Sequence, residues 1–113
     1  MMNPKLCSLI GLSMRAGKLK IGEDAVLQAV RSQNAKLVIV ANDASQATSK
    51  KIQDKCLFYG VSLRKYGFRD EIGACIGKDS RVLIACIDEG FAKAMIKLLD
   101  IENEVDSIEE RKR

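Results

Sequence analysis

Histidine is absent from the 113 residues, as is tryptophan, and Pro4 is the only proline. Without His the usual proton shuttle at neutral pH is missing, and Ser-His-Asp and Cys-His nucleophile arrangements cannot be assembled. No Gly-x-x-x-x-Gly-Lys-Ser/Thr loop exists, so P-loop nucleotide chemistry has no basis. The four cysteines, Cys7, Cys56, Cys75 and Cys86, form no Cys-x-x-Cys pair. Zinc-ligand spacing is therefore missing, and no metal site or cofactor is expected. The cysteines read as small buried hydrophobes in a reducing compartment. No apolar run approaches the roughly 20 residues of a membrane span, and the start of the chain lacks a signal-peptide pattern. A cytoplasmic protein with no membrane partner is expected.

What remains is enough for one domain. Apolar residues make up 47% of the chain but aromatics only 4%, so the core must be built from aliphatic side chains. The charge is unevenly spread. Residues 101–113 carry five acids against three bases, a net of −2, which leaves the first hundred residues at +6 of the chain's +4. This divides the chain into a basic domain over 1–100 and a charged tail over 101–113, either a frayed helix extension or a disordered tail. A modestly basic domain suits phosphate-rich partners.

Asn3-Pro4 marks a helix start and Gly17 its end. Lys18 to Ile21 alternates like a short strand. Glu23 and Asp24 open a second helix, which Asn34 can close. Lys36–Ala41 and Arg81–Ile87 are nearly continuous apolar runs, the mark of strands buried on both faces. Between them lie a helix from about Ser45 or Thr48 to Tyr59, an alternating strand over Val61–Tyr66, and a short helix capped by Asp70 and ended by Gly77. A last helix follows Asp88-Glu89-Gly90. A helix followed by four strand–helix alternations predicts an α/β fold, a three-layer α-β-α sandwich.

Loop residues carry the functional signal. Lys18 and Lys20 flank the first strand. Gly22, Glu23 and Asp24 open a helix whose amides could meet a phosphate. Tyr66 and Phe68 stand among Arg64, Lys65 and Arg69, which suits stacking on unpaired bases, although Phe68 could equally anchor the core. Lys50, Lys51 and Lys55 read as a solvated helix face. Asp43, after a buried strand, sits where a phosphoacceptor would, with Glu23-Asp24 imitating a magnesium-binding pair. That reading fails because the chain begins with a helix, has one strand too few and offers no partner lysine. Asp43 reads instead as a turn residue.

Three stretches in this order resemble the kink-turn RNA-binding ribosomal-protein family: Gly22-Glu23-Asp24-Ala25-Val26, then Ala35 to Ser45, then Ile72-Gly73-Ala74-Cys75-Ile76-Gly77. The resemblance spans about residues 5–99 and is nearest to bacterial ribosomal-protein-like relatives. It implies a four-stranded mixed sheet and a ribonucleoprotein role, with RNA bound at the loop edge. The start of the second helix would enter the widened groove of a kinked stem, and the loop before the last strand would hold a flipped-out base. Carried over by position, the groove readers are Gly22, Asp24, Ala25 and Gln28. Arg69 and Lys78 are the loop residues, with Asn42 and Asp43 nearby. Family members typically place Asn-Glu or Lys-Gln two and three residues after the glycine and Lys six after it. This chain has Asp24-Ala25 and Gln28, so direct reading of tandem sheared G·A pairs is not expected. The expected function is non-catalytic binding of structured, ribosomal or regulatory RNA. The alternative is an adaptor domain for the ribosome or RNA-processing machinery, to which the acidic-then-basic tail would contribute.

Overall fold

The computed structural model describes the backbone of residues 2–111 and the side chains of residues 2–102. Asn3 caps the first helix, α1 (Pro4–Arg15), its side-chain oxygen accepting from the Lys5 and Leu6 amides at 2.8 and 3.3 Å. The chain continues through β1 (Leu19–Ile21), α2 (Glu23–Arg31), β2 (Leu37–Val40), α3 (Gln46–Tyr59), β3 (Leu63–Lys65), α4 (Arg69–Cys75), β4 (Leu83–Cys86) and α5 (Glu89–Arg111). The 100/101 boundary drawn from charge falls within α5. Most of the tail's side chains lie outside the described residues.

The strands form one mixed sheet in the order β1-β4-β2-β3. Only β2 and β3 are parallel, with Val38 beside Leu63, and β4 runs antiparallel to both β1 and β2. Alternation along β2 and β4 explains the layers. Leu37, Ile39, Ile84 and Cys86 point into one core with Leu6, Ile10, Ile72, Met95 and Leu99. Val38, Val40, Leu83 and Ala85 point into a second core with Val26, Val30, Ile52 and Cys56. Helices α1, α4 and α5 thus cover one face, and α2 and α3 the other. Burial on both faces is why β2 and β4 were unbroken apolar runs.

Several local expectations need correction. Helix α2 stops at Arg31 with Ser32 as its cap; Gln33 turns the chain with φ 61°, so Asn34 lies beyond the helix rather than closing it. Asp70 is not the cap of α4. Phe68 holds that position, and the carboxylate of Glu71 accepts from its amide at 3.0 Å.

The cysteines divide into two classes. Cys56 and Cys86 are buried and free, as expected of small hydrophobes. Cys7 and Cys75 instead form a disulfide between α1 and α4, with Cα atoms 5.2 Å apart, which departs from the reduced state expected of all four cysteines. The cause is a close helix approach: a Cβ added at Gly11 would stand 2.9 Å from the Cys75 carbonyl oxygen. Nothing in the local spacing reveals a contact across 68 residues.

Candidate nucleic-acid interface

Because β1, β2 and β3 run in one direction and β4 runs against them, four connections converge on one edge of the sheet. They are the β1–α2 turn at Gly22, the β2–α3 turn at Asn42–Ser45, the β3–α4 turn at Tyr66–Phe68, and the α4–β4 loop at Ile76–Val82. Backbone bonds tie them together. Gly22 N donates to Leu83 O at 3.1 Å, Asn42 N to Gly67 O at 2.7 Å, and Arg81 N to Arg69 O at 3.0 Å.

Gly22 starts α2 with φ 91° and ψ 162°, a region that side chains avoid. It therefore sets the angle at which α2 leaves the edge. Glu23, Asp24 and Gln28 are exposed beyond it, and Ala25 is half-buried. The two acids suit the positive end of the helix but oppose a phosphate there. Glu23 has a partner in Lys51, 3.9 Å away. The solvated lysine face of α3 thus also reaches the start of α2, which separate helix readings could not show.

Asp43 and Arg69 form a clamp across the edge. The Arg69 amide donates to Asp43 Oδ1 at 2.9 Å and Nε to Oδ2 at 3.1 Å, and Nη2 also reaches the Asp43 carbonyl. Arg69 therefore locks two loops together instead of standing as an isolated cation. Desolvation works to raise the Asp43 carboxyl, but the bonds from the Arg69 amide and guanidinium outweigh it and hold it below its ordinary value. The folded value lies under the unfolded one, so this contribution is complete above the unfolded carboxylate range and fades as pH falls through the folded value. Exchange protection of the Arg69 amide should accordingly survive at the ordinary carboxylate value of about 4 and be lost only at lower pH. In Asp43→Asn it should be weak at every pH, as read by hydrogen exchange.

The α4–β4 loop folds back over its own helix. Lys78 N donates to Gly73 O at 2.9 Å, and a Cβ on Gly73 would fall far inside contact with the Asp79 carbonyl. Lys78 is exposed at the tip. Arg81, which sequence reasoning passed over, curls onto the Asp79 and Ser80 carbonyls at 3.2 and 2.9 Å and shapes the loop.

Of the two aromatics, Tyr66 is committed to the fold. Its hydroxyl accepts from the Asn3 amide at 3.1 Å and donates to Glu102 at 2.7 Å. Phe68 is 54% exposed and so does not anchor the core. Lys18 flanks β1, as its place in the sequence implies. It precedes β1 and its carbonyl accepts from Ile87 N at 2.9 Å, which sets it at the opposite edge of the sheet. Lys20, paired with Ala85, lies between the two edges on the α2 face. The structure therefore brings Gly22, Glu23, Asp24, Ala25, Asn42, Asp43, Arg69 and Lys78 to one edge, with Gln28 one turn along α2.

Among the described residues there is no cluster of potential metal ligands, and no helix is long and apolar enough to cross a membrane. A family model described as the ribosomal protein L7Ae/L30e/S12e/Gadd45 family matches residues 5–96. The chain is 47% identical over 92 residues to a Bacillus subtilis protein named RNA-binding protein YlxQ, covering 81% of this chain and 92% of that one. It is 32% identical over 85 residues to large ribosomal subunit protein eL30 of Euphorbia esula, covering 74% of this chain and 76% of that one. A solved structure of a Bacillus halodurans protein, described as of unknown function, superposes with a TM-score of 0.84 at 40% identity, covering 87% of this chain and 99% of that one.

Proposed function

The chain belongs to the ribosomal protein L7Ae/L30e/S12e/Gadd45 family, and on that premise we propose that it is a non-catalytic RNA-binding protein that takes structured RNA on its four-loop edge. The observation carrying this reading is the convergence of Gly22–Asp24, Asn42–Asp43, Arg69 and Lys78 on one hydrogen-bonded rim. Lys51, Lys78 and the clamped Arg69 supply phosphate contacts, and Phe68 offers a face to an unpaired base. Few side chains here read base edges, so phosphates dominate the affinity. The RNA is a ribosomal or regulatory one in the cytoplasm, and ribosome or ribonucleoprotein components are the natural company.

Fluorescence anisotropy with structured ribosomal RNA fragments tests this. With these three phosphate contacts, affinity should fall roughly fortyfold between about 50 and 200 mM salt. No detectable binding at the lower salt overturns the proposal. Partners recovered from lysate that survive RNase would instead mark the adaptor reading. Its surface would be Leu57 and Phe58, 84% and 81% exposed at the far end of α3.

A further inference from the structure

A shallow groove of about 350 Å³ runs beside α2, on the flank away from α3. Ala25 and Ala29 form its floor, and Lys20, Gln28 and Asn34 stand around it. It begins at the loop edge, since Ala25 and Gln28 belong to both, and ends at Ile87, beside which Lys18 is bonded. Lys18 and Lys20 are two residues apart, so strand alternation puts both on the α2 face. Both are exposed, and neither forms an ion pair among the described residues.

We infer that this groove is a second RNA contact, occupied by the sugar-phosphate backbone of a strand that leaves the loop edge and runs along α2 towards Asn34. The inference rests on the RNA-binding reading and extends its footprint. Several observations select backbone over base. No aromatic ring lines the groove, so a base has nothing to stack on. The alanine floor permits close approach of a chain. The Ser32 hydroxyl is engaged with the Ala29 carbonyl at 3.3 Å, leaving the Gln28 and Asn34 amides and the two lysines as donors for phosphate oxygens. Polarity also sets the direction. Asp24 repels phosphates at the tip of α2, while Lys20 and then Lys18 draw the strand past the tip to the far edge. The nine residues of α2 span ~14 Å, long enough to lie along two or three successive phosphates of one strand. This gives Lys18 a role that its distance from the loop edge otherwise denies it.

The test compares three proteins: the unaltered chain, the Lys18→Gln/Lys20→Gln variant, and Lys5→Gln/Lys97→Gln. The last loses the same charge from α1 and α5 on the opposite face. The probes are a two-stem kink-turn RNA and the same RNA with one or the other stem cut to a few pairs. On the full RNA the slope of log affinity against log salt should be shallower by about 1.5 units for the Lys18/Lys20 variant and unchanged for the control. With the relevant stem removed, all three proteins should bind alike. Equal slopes for the two variants on the full RNA overturn the groove and leave the loop edge standing. No binding by the unaltered protein to any of these RNAs overturns the RNA reading itself, and the groove with it.

Discussion

The triple variant Asp24→Asn/Ala25→Glu/Gln28→Lys is expected to prefer a kink-turn RNA over a version with its G·A pairs replaced by Watson–Crick pairs at least tenfold more strongly than the unaltered chain does. All three positions lie on the first turns of α2, where Asp24 and Gln28 are exposed and Ala25 is half-buried. As they stand, Asp24 cannot donate to a base and brings negative charge to the groove. Ala25 offers no polar group, and Gln28 has no charge. The replacements raise the net charge by one unit and add base-edge partners, each good polar contact being worth roughly 1–3 kcal/mol of discrimination. Two such contacts already exceed the ~1.4 kcal/mol that makes a factor of ten. The affinity ratio for the RNA pair is the readout. If the unaltered protein already shows a ratio near a hundred, the specificity lies elsewhere on the edge, with Lys78 and the Arg69 loop first in line.

Breaking the bridge between Cys7 and Cys75 carries the largest expected effect on stability. The bond closes a loop across 68 residues of chain. Such a closure typically contributes about 2–4 kcal/mol, mainly by restricting the unfolded chain. For a domain of this size that corresponds to a fall in Tm of roughly 10–20 °C. Thermal unfolding of the oxidised protein with and without dithiothreitol should show this difference, and Cys7→Ser should melt like the reduced protein whether or not reductant is present. Identical melting curves with and without reductant would refute it. The other two thiols do not complicate the experiment. Burial pushes Cys56 up to about 11 and raises Cys86 as well, so neither supplies a thiolate to attack the bridge in the folded protein. A thiol titration after unfolding should find two groups in the oxidised protein and four after reduction.

The buried strands and the caps at Asn3 and Ser45 were legible because their signals are local. The runs at Leu37–Val40 and Leu83–Cys86 are apolar on both faces, and Asn3-Pro4 and Ser45 start helices through their own side chains. Strand order was not local. β4 pairs with β1 and β2 through contacts that no window of sequence contains. For the same reason the loop edge emerged from family resemblance, while its individual side chains were judged unevenly. Lys20 and Lys18 looked equivalent as neighbours of one strand, yet the sheet separates one from the loops. The pairing of Arg69 with Asp43 was invisible because the two are 26 residues apart in sequence. Phe68 could have been core or surface on composition alone, and the packing of α4 leaves it outside.

The position of β4 also sets when this protein begins to work. It is the last strand made, yet it lies between β1 and β2, and its start holds Gly22 in place through the Leu83 carbonyl. On the ribosome, β2 emerges well before β4, by a few seconds at roughly 5–20 residues per second. During that interval β1 has no neighbour to pair with and α2 has no fixed angle. Until then the edge holds only the β2 and β3 loops, joined by the Asn42–Gly67 and Asp43–Arg69 bonds. A nascent chain that has passed Cys86 gains Leu83, and with it the bond that sets Gly22 and the start of α2 beside those loops.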